Sequence, residues 1–253
     1  MENNNMLIKN AKEIVTCSGF TAKQGRDMSD LHIIEDGAVV IEEGRIKAVG
    51  KNDEILKSFD EKSYEVIDAA GKAVLPGFVD SHTHLVFGGY RAEEFSWRLR
   101  GDSYMDIMQR GGGIVNSVKA TREAPSEELL EVGMSRLDSM LSFGVTTVEG
   151  KSGYGLDLET EIKCLQVAQE LNDEHPIDLI STYMGAHAIP EEYAGNPQGY
   201  IRLMTEEIMP YIARHRLAEF IDVFCEEGVF SPREARVLME SGRSMGFKLK
   251  IHA

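Results

Sequence analysis

The sequence has 253 residues, 42% of them hydrophobic, and a formal net charge of −15. That length fits one large domain, or a domain with a smaller module, around a normally packed core. The acidic balance is spread along the chain and speaks against nucleic acid or an anionic membrane surface as a partner, and no stretch is long and apolar enough to span a bilayer.

The first residues, Met1 to Met6, carry neither a basic n-region nor an apolar h-region, so no secretory signal is expected. Cys17, Cys164 and Cys225 are scattered without a C-x-x-C pair. They predict buried thiols in a reducing, cytoplasmic setting rather than a disulfide framework. Residues 6–70 read as short strands and turns. Leu7-Ile8 and Glu13–Thr16 are β-like, and Asp36–Ile41, the turn Glu42–Arg45 and Ile46–Val49 carry a hairpin signal. Tyr64–Ile67 is another strand. His32, inside this module, reads as a surface residue.

Ala73–His84 is the stretch with the most chemistry. Val74, Leu75, Phe78 and Val79 predict one buried strand with Pro76-Gly77 as a kink inside it. In an extended chain His82 and His84 point the same way. Two imidazoles at a strand's C-terminal end are placed to hold one metal ion, because α/β barrels build their sites there. The bland alternative is a pair of strand-end histidines facing water.

Residues 85–124 show no strong periodicity and contain Arg91, Trp97, Arg98 and Arg100. A connection that long beside a candidate site is more often functional than accidental. Gly88, Gly89 and the triplet Gly111–Gly113 predict hinges or close-approach points in a lid. They lack the spacing of a phosphate loop.

Regular alternation begins at Pro125. Ser126 predicts an N-cap, followed by Leu130, Met134, Leu137 and Leu141 at helical spacing and a stop at Gly144. Val145–Glu149 is a strand ending in a glycine-rich turn with Lys151 and Tyr154. A helix over 158–172 leads to the strand Ile177–Tyr183 and then His187. A helical stretch over 198–215 is interrupted near Pro210. Phe220–Phe224 is a strand ending near Glu226 and Glu227, which read as structural. Ser231-Pro232-Arg233-Glu234 is a capping box with Pro at the first helical position. Phe247–Ile251 is a last strand, ending in His252. His175 and His215, at helix ends, read as surface histidines.

Strand–helix alternation with polar strand ends is the signature of a parallel α/β barrel or sheet. A closed barrel needs eight strands; five are read here, so an open sheet stays compatible with the count. A final strand with no following helix would leave one face uncovered, which suggests a fragment. In a barrel, His82, His84, Tyr154, His187, Glu226 and His252 would share one mouth. Three histidines there could hold Zn²⁺ or Fe²⁺ and activate water for attack on a carbonyl or amidine carbon.

Several segments also carry a resemblance. Gly44-Arg45-Ile46, Ile67-Asp68 and Pro76–His84 resemble the amidohydrolase superfamily. Phe87–Arg91, Gly111–Ile114, Glu149–Gly155, Gly185–His187 and Lys250–His252 resemble, within it, the imidazolonepropionase family, and the resemblance covers nearly the whole chain. It implies an α/β fold: a (β/α)8 TIM-like barrel, its first five strands in residues 71–253, with a small β-sandwich whose N-terminal part is residues 1–70. It implies one divalent or trivalent metal, Zn or Fe, on His82, His84 and His252. An Asp ligand, a general-base Glu and a further His would lie beyond Ala253, so no catalytic residue is assigned within the chain. Arg91 matches a substrate-binding arginine suited to a propionate carboxylate. Tyr154 and His187 match residues that contact the imidazolone ring and its carboxylate arm. The implied reaction is hydrolysis of the cyclic amide 4-imidazolone-5-propanoate to N-formimidoyl-L-glutamate, in histidine degradation. A ring deaminase would use the same histidines but has no carboxylate for Arg91. Dihydroorotase-like chemistry needs a modified lysine at a strand end, and Lys151 reads as lying past its strand. A non-enzymatic alternative is an inactive metal-binding fragment. The expected partner is a small-molecule substrate, with no nucleic acid, no membrane, and a homodimer as the assembly.

Overall fold

Alternating apolar residues build a first sheet within the unit Met1–Gly77. The computed structural model describes residues 5–19, 21–103, 106 and 112–253. Strands β1 (Met6–Val15), β2 (Ile33–Glu42), β3 (Arg45–Lys51) and β4 (Glu65–Asp68) lie in the order β3-β2-β1-β4, and β5 (Ala73–Val74) also pairs with β1. The two segments read as separate before Thr16 are one strand, irregular between Ile8 and Ala11 where Asn10 takes φ 59°. β2 and β3 form the expected antiparallel hairpin. Its turn residues Glu43 and Gly44 have φ 52° and 73°, the positive pair that a two-residue turn needs to match strand twist. Leu7, Ala38 and Val40 pack with Ile55 of α1 (Asn52–Ser58). This helix has too few turns to show periodicity in the sequence. His32 is exposed and paired with Asp30 at 2.9 Å.

The second unit is Phe78–Ala253. Its strands are β6 (Phe78–Thr83), β7 (Val145–Lys151), β8 (Asp178–Ala186), β9 (Phe220–Phe224) and β10 (Lys248–His252). All neighbours are parallel, in the order β10-β9-β8-β7-β6. Between them run α2 (Ala92–Leu99), α3 (Ile114–Glu123), α4 (Ser126–Ser142), α5 (Leu158–Glu174), α6 (Pro197–Leu203), a π-helical turn Met204–Ile208, α7 (Met209–His215) and α8 (Pro232–Ser244). Sequential parallel strands with a helical crossover after each of β6 to β9 are five strands of a (β/α)8 barrel, in the α/β class. Val148, Leu179, Tyr183, Ile221 and Val223 are buried in two clusters with residues of the helices. The alternate residues Glu149, Lys151, Thr182, Asp222, Lys250 and His252 therefore lie on the opposite face, which in a barrel is the interior.

Several expectations are corrected. Ala73–Val79 is not one strand: β5 belongs to the first sheet and β6 to the second, because the intervening Leu75-Pro76-Gly77 is in neither. Leu75, Phe78 and Val79 are 52%, 55% and 65% exposed, so this run is not buried in the chain as described. Residues 85–124 hold α2 and α3 rather than a loop alone. Gly88 is a packing point, since a Cβ there would lie 2.6 Å from the Ala120 carbonyl oxygen. Gly111 of the expected triplet lies outside the described residues. Pro125, not Ser126, caps α4. Of the residues at helical spacing in α4, Leu137 is buried and Leu130 and Met134 are half-buried against the core beside Leu129 and Gly133, but Leu141 is exposed. His175 is buried at the C-cap of α5, its Nδ1 accepting the Ile177 N–H at 3.1 Å. Cys164 is buried, but Cys17 is exposed. Pro210 follows the π turn, which absorbs its missing N–H without ending the helical run.

The capping box at α8 forms in full. Ser231 Oγ accepts from the Glu234 N–H, and Glu234 Oε2 accepts from the Ser231 N–H at 2.9 Å. The hydroxyl and N–H of Ser231 hold the Glu234 carboxyl below its usual pKa. Ser231→Ala is expected to cost about 1 kcal/mol in urea unfolding. Because the folded-state pKa of Glu234 is lowered, its contribution is present above the unfolded carboxylate value and is lost as pH falls through the folded one. The stability gap between wild type and Glu234→Gln should therefore be open at pH 7 and close below about pH 4.

Candidate active site

Four strand ends place the rings. His82 is in β6 and His84 just past it, Tyr154 follows β7, His187 follows β8, and His252 ends β10. The His82 ring centre lies 6.4 Å from that of His84 and 5.2 Å from that of His252. His187 stacks on His84 at 4.6 Å with 13° between planes, and Tyr154 lies 4.7 Å from His84 and 5.3 Å from His187. Phe224 stacks on His252 at 5.0 Å. The structure thus brings together five of the six residues expected at one mouth. The sixth is Glu226. It is exposed, accepts the Glu227 N–H at 2.9 Å, and lines a cavity of about 670 Å³ with Cys225, Gly228 and Ser231. Arg91 sits at the N-cap of α2, its Nη1 3.7 Å from Glu94 Oε2.

The loop after β7 is built to present Tyr154. Gly153 has φ 108°, and a Cβ there would meet the Met184 carbonyl oxygen at 2.6 Å; no other residue fits that approach. The Gly153 carbonyl lies 2.9 Å from His187 Nδ1. Glu161 is fully buried under the loop, and its Oε1 accepts the N–H groups of Gly153, Gly155 and Leu156 at 3.1, 2.8 and 2.9 Å. One carboxylate thus fixes the backbone on both sides of Tyr154. Nothing in the sequence reading pointed to Glu161. Its signal was an acidic residue one turn into a helix whose neighbours Leu158, Ile162 and Leu165 are apolar.

Burial pushes the His84 pKa down to about 3, with His187 and His82 adding to the shift. Burial also lowers His187. A neutral imidazole offers a lone pair, which is the form that binds a metal. His84 Nδ1 is buried and has no hydrogen-bond partner. Two imidazoles on one ion, each nitrogen about 2.1 Å from it, have ring centres about 5 Å apart at a tetrahedral angle. The donor set and the His82–His252 spacing therefore fit a divalent ion. Among the described residues, however, no three His, Cys, Asp or Glu side chains are closed around a single point.

Below the rings lies a network that sequence reading missed. Lys151 is 3% exposed and donates to Glu149 Oε1 at 2.9 Å and Asp222 Oδ2 at 2.6 Å. Lys250 pairs with Glu149 Oε1 at 2.7 Å, and Thr182 donates to the same oxygen at 2.5 Å. Asp222 Oδ2 also meets His252 Nδ1 at 3.1 Å. Burial acts to raise Glu149, but hydrogen bonds from Lys250, Thr182 and Lys151 outweigh it and hold the carboxyl below its usual range. Lys151 is the last residue of β7 rather than a turn residue, so, contrary to the expectation from sequence, it does stand at a strand end. What occupies its amine is a pair of carboxylates.

A model of the amidohydrolase family matches residues 65–128. The whole chain is 58% identical to an imidazolonepropionase of Clostridium tetani and 56% identical to one of Parabacteroides distasonis. It covers 60% and 61% of those sequences, so it spans about three-fifths of the length of these curated relatives. Among solved structures, 98% of the chain superposes on 52% of a triazine hydrolase from Arthrobacter aurescens, with TM-score 0.65 and 18% identity. An E. coli guanine deaminase gives TM-score 0.60 at 16% identity, over 98% of this chain and 52% of that one. These likenesses show the barrel fold.

Removing one member of the buried network leaves its partner uncompensated, which typically costs about 3–5 kcal/mol. Asp222→Ala should destabilise the chain by an amount in that range. The double variant Asp222→Ala/Lys151→Met should lose less than the two single losses added together, as read by a double-mutant cycle in urea.

Proposed function

We infer that this chain, a relative of imidazolonepropionase along its whole length, carries the histidine-rich strand ends of a metal-dependent hydrolase that opens 4-imidazolone-5-propanoate to N-formimidoyl-L-glutamate. The observation that carries the reading is the convergence of His82 and His252, ring centres 5.2 Å apart, from strands at the two ends of a five-stranded sheet. His84 beside them is half-buried, and burial with the neighbouring His187 and His82 rings pushes its pKa down to about 3.

His82, His84 and His252 would hold the metal, zinc or iron. When bound, such an ion polarises a carbonyl and makes a water a nucleophile near neutral pH. Arg91 binds the substrate's propionate carboxylate. Its contact with Glu94 is long, 3.7 Å, and leaves guanidinium hydrogens for a second, bidentate partner. Tyr154 and His187 orient the ring, Tyr154 through the loop that Glu161 fixes. A carboxylate-bearing substrate separates this reading from deamination of a neutral ring, which would leave Arg91 without a partner. Cys164 is buried, with its thiol pushed up by burial, and free cysteines suit a reducing compartment such as the cytoplasm.

The test is hydrolysis of 4-imidazolone-5-propanoate by zinc- or iron-loaded protein, with formation of formimidoylglutamate as the readout. Chelation of the metal should abolish turnover. Arg91→Ala should raise KM about 10- to 100-fold, the equivalent of the roughly 1.5–3 kcal/mol of a hydrogen bond to a charged group, with a smaller effect on kcat. An unchanged KM would remove Arg91 from the substrate site.

A further inference from the structure

The strand alternation that sets His252 at the end of β10 sets Asp222 two residues before Phe224, its neighbour in register on β9. Asp222 is 3% exposed. Its Oδ2 receives Lys151 Nζ at 2.6 Å and lies 3.1 Å from His252 Nδ1. The Asp222 Oδ2 that accepts the Lys151 ammonium at 2.6 Å meets His252 Nδ1 as an acceptor too, so the hydrogen of the 3.1 Å contact belongs to Nδ1. We propose that Asp222 is a positioning residue: held by Lys151, it fixes the tautomer and ring orientation of His252 so that Nε2 keeps its lone pair for the site. The inference rests on the metal reading above only for the use to which Nε2 is put.

The supporting geometry reaches past the pair. Lys151 is held in turn by Glu149, and Glu149 by Lys250 and Thr182. Asp222 therefore cannot turn away from His252 without leaving Lys151 short of a partner. Phe224 stacks on the His252 ring at 5.0 Å with 22° between planes, which limits the ring's swing about its own bond. Carboxylates that hold the far nitrogen of a ligating histidine raise its basicity and set its aim. Losing one commonly costs 10- to 100-fold in metal affinity.

The experiment is ¹⁵N-resolved NMR of the histidine rings in the metal-free protein at pH 8, with zinc affinity measured by competition with a chromophoric chelator. His252 is expected to carry a proton on Nδ1. Asp222→Asn is the informative variant, because its amide can donate to Nδ1 and so drive the proton to Nε2. It should invert the tautomer and weaken zinc binding about 10- to 100-fold. Thr182→Val breaks a hydrogen bond of the same network without touching His252. It should lower stability but leave the His252 tautomer and the zinc affinity as they were, which separates positioning from general loosening. Restoring the carboxylate in Asp222→Glu should restore the Nδ1 proton. A His252 protonated on Nε2 in the wild type, or an Asp222→Asn variant with unchanged tautomer and affinity, would overturn the proposal. A wild type with the Asp222-dependent tautomer but no zinc uptake would sustain the positioning role while removing the metal reading.

Discussion

Burying Lys151 between Glu149 and Asp222 is the constraint on which the second unit depends. Each bare ion would cost several kcal/mol to remove from water. The cost is offset only because the partners stand at hydrogen-bond distance on neighbouring strands: Glu149 and Lys151 on β7, Thr182 on β8, Asp222 on β9, Lys250 on β10. A slip of one residue in any of these strands would turn its polar side chain to the helix face. The network thus specifies register, and through register the ends of the strands. The rings of His252 and Phe224 are where they are because Lys250 and Asp222 are paired below them.

The ring cluster above obeys a different demand. Stacking holds its members close, and burial lowers the pKa of His84 and of His187. His84 and His187 lie nearly parallel at 4.6 Å, an arrangement two imidazolium ions would oppose. The lowered pKa values of His84 and His187 and a tyrosine loop fixed by Glu161 are the features on which the proposed metal and substrate reading rests. The division of labour is physical: charges compensate one another in the strand layer, and the rings stack at its rim.

Much of this was legible in the sequence. The capping box at Ser231, the strand Phe220–Phe224 and the stop at Gly144 follow from local chemistry that tertiary contacts did not override. His82, His84 and His252 were identified by their place at strand ends. The misses have specific causes. Val74 to Val79 looked like one strand because apolar content does not say which sheet a residue joins. Leu130, Met134 and Leu137 of α4 do pack on the core, but Gly133, which lets Leu171 approach, was not visible as part of that face because it carries no hydrophobic signal. Asp222 and Lys250 were visible as charges at alternating strand positions, Phe-Ile-Asp-Val-Phe and Lys-Leu-Lys-Ile-His. Only the parallel pairing of β9 with β10 shows that the two face each other. Glu161 was hidden because a buried carboxylate that serves backbone N–H groups looks, in sequence, like any helix-surface acid.

The most direct measurement is X-ray absorption at the zinc edge of the zinc-loaded protein, compared with His82→Ala and His252→Ala. If the strand-end histidines hold one ion, the wild-type spectrum will show imidazole scattering with nitrogen at about 2.0–2.1 Å, and each variant will lose part of it. A spectrum without imidazole, or one that neither substitution changes, would contradict a metal site at these strand ends and with it the hydrolase built upon it.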